Sequence, residues 1–418
     1  MTAADTHAIP SRPVTALGAS SGARVRDLRL DFFRGIAMFI ILIAHTPGNF
    51  LTSWIPARWG FSDATEIFVF CSGMASAIAF GGAFDRMGWV LGSARVAFRV
   101  WQVYWAHVGL FFATLALTVF LTDLDITGRN YWGQLNLWMM FVESDKWDNP
   151  DILLSFMTLR YVPNYFDILP MYMVVLIGMP VIMWLSRYSL WFVAAFVGIV
   201  WLMAQNALMI ALGLGAYHLE FPAEPWTDRQ WFFNPFGWQL IFFTGFAFMR
   251  GWLPKPPVTT WLIVLATVIV IANIPLSNIG IREFGFDWAR EWRSDYKALI
   301  SKSDFGILRY VHFLSLAYLA WVAAGDKGAR LLAQGTGVLS RIWDQILAII
   351  LKVGQQSLAV FVVSMFTARI MGFAMDVLGR DTVTSLMVNL AGACVLVATA
   401  YVAGWFKSQP WRARKGAS

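Results

Sequence analysis

Charged residues are scarce in this sequence. Asp, Glu, Lys and Arg make up 14% of the 418 residues, whereas a typical soluble domain contains about 25%. So few charges could not cover the surface of a soluble particle of this size, and disorder is excluded because it requires low hydrophobicity and high charge. The pI is about 9.5, but the basic residues are dispersed among short segments and form no continuous stripe. We therefore expect no nucleic-acid partner.

Cysteines and the common catalytic motifs are also lacking. The two cysteines, Cys71 and Cys394, both fall within apolar segments, so they can build neither a disulfide framework nor a thiolate metal site. The sequence contains no Walker-type phosphate loop, no pair of histidines at metal-binding spacing and no Gly-x-Ser-x-Gly elbow. It therefore predicts no metal ion and no bound cofactor.

Apolar residues are abundant instead. Hydrophobic residues account for 58% of the chain and aromatic residues for 16%. Because a transmembrane helix needs about 20 mostly apolar residues, the pattern predicts an all-α, polytopic membrane bundle of about ten transmembrane helices. The stretch 342–353 is expected to form an interfacial helix. The ten candidate spans lie near residues 33–51, 64–83, 100–121, 168–186, 189–213, 233–251, 258–277, 307–324, 355–375 and 383–406.

A single membrane domain, residues 31–406, is predicted between two tails, 1–30 and 407–418. The first tail is polar, so the first apolar run is expected to be a retained span and not a cleaved signal peptide. In a ten-span topology that starts in the cytoplasm, the cytoplasmic segments hold 18 Lys and Arg against 5 Asp and Glu, and the opposite segments hold 11 against 16. The positive-inside rule therefore predicts that both tails are cytoplasmic.

One outer loop has a regular aromatic pattern. Phe284, Trp288, Trp292 and Tyr296 recur every four residues within 281–297, with charged residues between them. This pattern predicts an amphipathic helix at the outer interface. Two interpretations stay open, namely an aromatic anchor in the membrane interface and a platform on which sugar rings stack.

The first span has the clearest functional pattern. Arg34 and His45 are eleven residues apart, which in a helix is three turns plus roughly 20° and a rise of about 16 Å. They therefore share one face, with the imidazole deep in the membrane, and Asp31 can pair with Arg34. A neutral imidazole can accept a proton from a hydroxyl, and a guanidinium can hold an anionic donor. The alternatives are an interfacial arginine that reaches water and a hydrogen-bonded packing histidine.

Two carboxylates open the second span. Asp63 and Glu66 are three residues apart and share a helix face, and they could pair with His45 or Arg58. They would then orient the histidine and stabilise its protonated form. The alternative is a solvated helix N-terminus, where the helix dipole favours acidic residues.

Four further residues are candidates for substrate binding because ionisable groups inside a membrane are costly and usually functional. Asp167 precedes the fourth span, although helix capping would explain an acid there. Arg309 and His312 are three residues apart in the eighth span, and Arg369 lies in the ninth. Arg309 or Arg369 could bind a carboxylate of the donor with two hydrogen bonds, and Arg369 could instead pair with a neighbouring helix. His107 has no obvious partner and is expected to pack structurally.

These stretches resemble the OpgC proteins, within the acyltransferase-3 type of membrane acyltransferases. The spacing of Arg34 and His45 matches the arginine, ten residues and histidine of that type. The other matching stretches follow in order over residues 26 to about 405. They are RDLRLDFFRG (26–35), GFSDATEIFVF (60–70), NYFDILPMY (164–172), FNPFGWQ (233–239), RYVHF (309–313) and GQQSLAVF (354–361).

The resemblance implies an enzyme of the bacterial inner membrane that acylates osmoregulated periplasmic glucans. The acyl group, succinyl in OpgC proteins, would come from cytoplasmic acyl-CoA as a co-substrate, with His45 as the catalytic histidine and Arg34 as its first-span arginine. The expected partners are acyl-CoA, a periplasmic glucan and membrane lipids. Whether the protein also forms a homo-oligomer or binds other proteins of glucan synthesis stays open.

Two other functions are compatible with buried charges in a helical bundle. A glycan or lipid transporter without acyl-transfer chemistry is the main alternative, although no inverted repeat and no matched pair of broken helices is visible in the sequence. A scaffold for glucan synthesis would use the same charges only to hold helices together. The leading hypothesis is an O-acyltransferase, and dependence on coenzyme A separates it from both alternatives.

Overall fold

The fold is all-helical, as predicted. A computed structural model describes residues 27–135, 137–141 and 149–412, and 74% of it is helix, without a strand in those ranges. The predicted tails thus lie largely outside the described residues. The α-helices are α1 (Leu28–His45), α2 (Pro56–Trp59), α3 (Ala64–Ser76), α4 (Gly82–Asp123), α5 (Asn149–Met157), α6 (Ile168–Ile177), α7 (Met179–Leu185), α8 (Leu190–Met203), α9 (Asn206–Ala211), α10 (Pro235–Arg250), α11 (Thr260–Ala272), α12 (Asn278–Arg282), α13 (Asp287–Asp295), α14 (Ile307–Ala324), α15 (Val338–Gln355), α16 (Ser357–Leu378) and α17 (Thr382–Ser408).

Several of these helices suit a membrane. Within the described residues, five are long and apolar enough to cross one, namely Ala64–Asp123, α6 with α7, α14, α16 and α17. The helices α8, α10 and α11 are shorter, with 14, 16 and 13 residues, and α1 includes three charged side chains near its start. The membrane bundle is therefore supported, while the count of ten spans stays a prediction.

The second and third predicted spans are joined in one helical run. Residues Ala64–Asp123 are helical throughout, with a π-helical segment at Ala77–Gly81. A straight helix of this length would extend about 90 Å, but the run is broken at Gly88, where φ is 77° and ψ is −179°. Glycine adopts such a backbone without a steric cost. The predicted connection 84–99 is thus helical on both sides of a single break.

The bounds of α1 differ from the predicted span 33–51. Asp27 caps the helix by accepting a hydrogen bond from the backbone N–H of Arg29 (3.0 Å), so the helix begins five residues earlier. It ends at His45 because Thr46 precedes Pro47, and a residue before proline disfavours helical backbone. His45 therefore lies at the end of a helix about 27 Å long, and its depth in the membrane stays a prediction.

Helix α1 is surrounded by α3, α15 and α16. Its crossing with α15 is very close, because a β-carbon at Gly35 would overlap the carbonyl oxygen of Ile350 and one at Gly354 would overlap that of Asp31. Small residues permit such close approach between membrane helices. The predicted interfacial helix 342–353 forms part of α15, which extends further at both ends.

Polar contacts group the connections into two ends of the bundle. At the end where α1 finishes, the Asn49 side chain hydrogen-bonds that of Asn389 (2.8 Å); at the other end, Arg29 donates to the carbonyl of Gly325 (3.1 Å). We call these the His45 end and the Arg34 end. At the His45 end, ion pairs and hydrogen bonds join residues 46–63, 158–167, 218–234, 276–306 and 376–382.

The predicted amphipathic helix over 281–297 is interrupted. Helix α12 ends at Arg282 and α13 begins at Asp287, because the chain turns at Gly285 with φ +68°. The ring of Trp292 stacks on Phe61, with 6.2 Å between centroids and 2° between planes. Trp292 therefore packs against the protein, whereas Phe284 and Trp288 are exposed.

Candidate functional site

A cavity of about 580 Å³ lies at the His45 end of the bundle. Three of the residues singled out from the sequence line it: His45 at the end of α1, Asp63 before α3 and Asp167 before α6. Tyr165 and Lys302, for which no role was predicted, line it too. The structure thus brings together ionisable side chains from four distant parts of the chain.

The hydrogen bond of His45 fixes which ring nitrogen is available. Its Nδ1 lies 2.8 Å from the backbone oxygen of Ile41, and because a carbonyl only accepts, Nδ1 is the donor. In the neutral ring Nε2 then has a free lone pair. The charged side chains near this imidazole are those of Lys302, Arg369 and Asp63. The neutral imidazole can therefore accept a proton at Nε2.

Asp63 and Glu66 form a capping box at the start of α3. Asp63 accepts a hydrogen bond from the backbone N–H of Thr65 (2.7 Å), and Glu66 accepts one from the backbone N–H of Asp63 (2.8 Å). Each carboxylate also has a cation. Lys302 donates to Asp63 at 2.5 Å, and Arg309 donates to Glu66 at 2.6 Å.

The partners proposed for these carboxylates from the sequence were wrong. Neither His45 nor Arg58 takes part in the two ion pairs. Burial opposes ionisation of Asp63, but the two cations Lys302 and Arg309 hold the pKa of its carboxyl below its ordinary value. Asp63 and Lys302 thus form a charged pair in the cavity wall, while Glu66 is fully buried behind that wall.

Asp167 is almost completely buried in the cavity wall. Its carboxylate accepts a hydrogen bond from the backbone N–H of Phe232 (3.2 Å) and does not cap α6, so the capping interpretation fails. Burial raises the pKa of Asp167 to about 6, and the hydrogen bond from Phe232 opposes that rise. Asp167 therefore ties the segment before α6 to the segment before α10.

Tyr165 connects His45 to Arg369. Its ring meets the imidazole edge to face, with 5.4 Å between centroids and 77° between planes, and the guanidinium of Arg369 lies 4.0 Å from its centroid. Its hydroxyl donates to the carbonyl of Met365 (2.5 Å). Tyr165 has φ +87°, a conformation that is strained for a bulky residue and that tends to occur at functional sites. Arg369 itself lies behind Tyr165.

Arg309 and His312 lie behind the cavity rather than in its wall. Arg309 is committed to Glu66. The Nδ1 atom of His312 accepts a hydrogen bond from the backbone N–H of Ser62 (3.3 Å) and lies 2.7 Å from the hydroxyl oxygen of the same residue. Both His312 and Ser62 are buried. In this arrangement Arg309 and His312 support the segment that leads into α3. His107 is also buried, stacked on Phe156 with 5.2 Å between centroids.

Arg34 belongs to a cluster of cations at the opposite end of the bundle. It donates a hydrogen bond to the hydroxyl of Ser357, and it lies with Arg99 and Lys352 in the electrostatic surroundings of Lys407. These four cations come from four different helices. Asp31 is buried in the preceding turn of α1. The structure thus does not place Arg34 and His45 in one cavity, since about 16 Å of helix separates them.

The site is not built like a metal centre. In the parts of the chain that the structure describes, no group of three or more His, Cys, Asp or Glu side chains is placed to hold a metal ion. The cavity wall contains the imidazole of His45, the ammonium of Lys302 and the carboxylates of Asp63 and Asp167. Such a set suits proton transfer from a hydroxyl and stabilisation of a developing anion.

A comparison with protein families covers all of these residues. A family model described as OpgC protein matches residues 26–408. The chain belongs to the OpgC protein family. No curated protein and no solved structure matches it. Membership of the OpgC family points to a transferase that takes part in the modification of osmoregulated periplasmic glucans.

Proposed function

We propose that this OpgC protein is an O-acyltransferase of the acyltransferase-3 type, which transfers a succinyl group from cytoplasmic acyl-CoA to a hydroxyl of a periplasmic glucan. The observation that carries the proposal is the imidazole of His45, which lines a large cavity and whose Nδ1 lies 2.8 Å from the carbonyl oxygen of Ile41, so that Nε2 is the proton acceptor of the neutral ring. Family membership supplies the class of acceptor.

In the proposed reaction His45 acts as a general base. Its Nε2 takes the proton of a glucan hydroxyl while the hydroxyl oxygen attacks the thioester carbonyl carbon. A new C–O bond forms, the C–S bond breaks, and the departing thiolate of coenzyme A takes the proton back from the imidazolium. The products are a succinyl ester of the glucan and free coenzyme A, and no other reactant is needed.

Lys302 is the proposed stabiliser of the transition state. Its ammonium lines the same cavity as His45 and is positioned by Asp63 at 2.5 Å. A cation held in advance near the reacting carbonyl stabilises the oxyanion that develops there. Asp63 is then a positioning residue for Lys302, and not for the histidine as the sequence suggested.

Arg369 is the proposed partner for the distal carboxylate of the succinyl group. The sequence left Arg309 and Arg369 as candidates, but Arg309 is already paired with Glu66. The Nε atoms of both arginines have no hydrogen-bond partner within the described residues, so the ion pair of Arg309 is what separates the two candidates. A guanidinium binds a carboxylate well through two parallel hydrogen bonds, which favours Arg369.

The donor is proposed to bind at the Arg34 end. The cations Arg34, Arg99, Lys352 and Lys407 suit the phosphate groups of coenzyme A. Since about 16 Å of α1 separates Arg34 from His45, the acyl-bearing arm alone would extend to the His45 cavity. This arrangement requires the Arg34 end to face the cytoplasm in the inner membrane, with both termini on that side and the glucan on the other.

The proposal is tested with purified protein in lipid nanodiscs. The protein is incubated with a periplasmic-type glucan and either succinyl-CoA or acetyl-CoA, and the glucan is weighed by mass spectrometry. We expect a gain of one succinyl group that is lost in His45→Gln. Succinylation by His45→Gln at the wild-type rate would refute the role of the histidine. A glucan that gains no acyl group from either donor would contradict acyl transfer and favour a transporter.

A further inference from the structure

A second cavity lies beside the His45 cavity at the same end of the bundle. Its volume is about 470 Å³, and it is formed by residues 53–59 together with α12 and the two residues that follow it. Arg58 and Asn278 belong to the walls of both cavities. The two cavities are therefore adjacent and share part of one wall.

Three aromatic side chains line the second cavity. Trp54 is 72% exposed and Phe284 is 56% exposed. Trp59 is held in place because its Nε1 donates to the carbonyl of Ser53 (3.1 Å). Exposed tryptophans are common where a protein meets the membrane interface, so exposure alone does not indicate a binding site.

Hydrogen-bonding groups lie between these aromatic rings. The same wall contains the guanidinium groups of Arg58 and Arg282, the carboxylate of Glu283 and the amide of Asn278. Asn278 is anchored by a long hydrogen bond from Nδ2 to the carbonyl of Ala57 (3.5 Å). Tryptophan and arginine are both common anchors at the membrane interface, but such an anchor does not require a carboxylate and an amide in the same concave surface.

This combination fits a neutral sugar. A pyranose ring has C–H faces, which pack on the electron-rich faces of aromatic rings, and hydroxyl edges, which both donate and accept hydrogen bonds. The second cavity presents aromatic faces and, between them, donors from arginine and asparagine and an acceptor from glutamate. Binding sites of this kind place a few polar groups within a largely apolar concave surface.

We infer that the second cavity binds further sugar units of the same glucan whose acceptor hydroxyl enters the His45 cavity. This inference rests on the proposed function, because it takes the acceptor glucan as the occupant. Arg58 and Asn278, which face both cavities, lie where a continuous glucan chain passes from one to the other. The protein should therefore bind a gluco-oligosaccharide more tightly than it binds glucose.

Calorimetric titration of the full-length protein in nanodiscs tests this inference. The probes are glucose and neutral gluco-oligosaccharides of increasing length. We expect the dissociation constant to fall with length, and Trp54→Ala to weaken binding of the longer oligosaccharides by about tenfold, the effect of losing one aromatic stacking contact. Binding of glucose should not change. Trp191→Ala is the matched control, because Trp191 is 84% exposed on α8 and lines neither cavity.

The outcomes separate this inference from the proposed function. Equal affinity for glucose and the longer oligosaccharides, or equal binding by Trp54→Ala and wild type, would overturn the second sugar site even if acyl transfer is observed. Length-dependent binding that Trp54→Ala weakens would support it even if no acyl group is transferred. A loss of binding in Trp191→Ala equal to that in Trp54→Ala would also overturn it, because the effect would then be general to exposed tryptophans.

Discussion

Glu66→Gln should destabilise the folded protein far more than it alters chemistry at His45. The side chain of Glu66 is 0% exposed, that of Arg309 is 11% exposed, and the two are 2.6 Å apart. Removing one partner of a buried ion pair leaves the other charge uncompensated and typically costs about 3–5 kcal/mol. Since a folded domain is stable by about 5–15 kcal/mol, we expect Glu66→Gln to lose a large part of its stability.

A second substitution should restore much of that loss. Replacing a buried pair by uncharged side chains of similar volume is often neutral, so Glu66→Gln with Arg309→Met should be more stable than Glu66→Gln alone. The losses of stability in the two single variants, Glu66→Gln and Arg309→Met, should then not add up to the loss in the double variant. Glu291→Gln is the control, because Glu291 is exposed and an isolated surface substitution changes stability by about 0.5 kcal/mol or less.

Denaturant titration in detergent micelles, followed by circular dichroism of the helices, measures these differences. A decrease in the free energy of unfolding of less than about 1 kcal/mol in Glu66→Gln would contradict the reasoning, because removing one partner of a buried ion pair should destabilise the protein by more than that. Full additivity of the two single losses would contradict it as well. In either case the pair would not be the internal support of the cavity wall that the structure indicates.

Three further substitutions test other parts of the account. His45→Gln should slow acyl transfer by about a hundredfold or more at an unchanged unfolding temperature, and a rate near wild type would exclude the histidine as the base. Arg34→Met should raise KM for acyl-CoA by about tenfold or more with a small change in kcat, and steady-state kinetics with unchanged KM would exclude donor binding there. Gly354→Ala places a β-carbon against the carbonyl of Asp31 and should cost about 1–3 kcal/mol; an unchanged denaturation midpoint would contradict the close contact of α1 and α15.

The sequence predicted the fold class but not the exact helices. Runs of apolar residues indicate membrane helices because their length matches a bilayer, and all-helical structure is found. Bounds depend on local features that hydropathy does not weigh. Because Asp27 caps α1, the helix begins before the predicted span does, and because of Pro47 it ends before residue 51. His45 therefore lies at the end of a helix and not within a span as predicted. The break at Gly88 likewise depends on the backbone conformation of a single residue, which hydropathy does not predict.

The candidate site was predicted in part. His45, Asp63 and Asp167 were singled out as ionisable groups at apolar segments, and all three line one cavity. Lys302 could not be found in this way, because it lies 239 residues from Asp63 in a loop at the His45 end, where charged residues are ordinary. Tyr165 lies within a recognised stretch, but its contacts with His45 depend on a positive φ that no sequence pattern encodes.

The central claim is that the two ends of the bundle cooperate, with the donor held at the Arg34 end and the acyl group received at His45. Sealed proteoliposomes whose Arg34 end faces outward test it directly. Labelled succinyl-CoA is added outside, and a glucan is enclosed inside. The account predicts that labelled succinyl appears on the enclosed glucan, that coenzyme A stays outside, and that both Arg34→Met and His45→Gln suppress the transfer. Labelling only when donor and glucan share one side would contradict it.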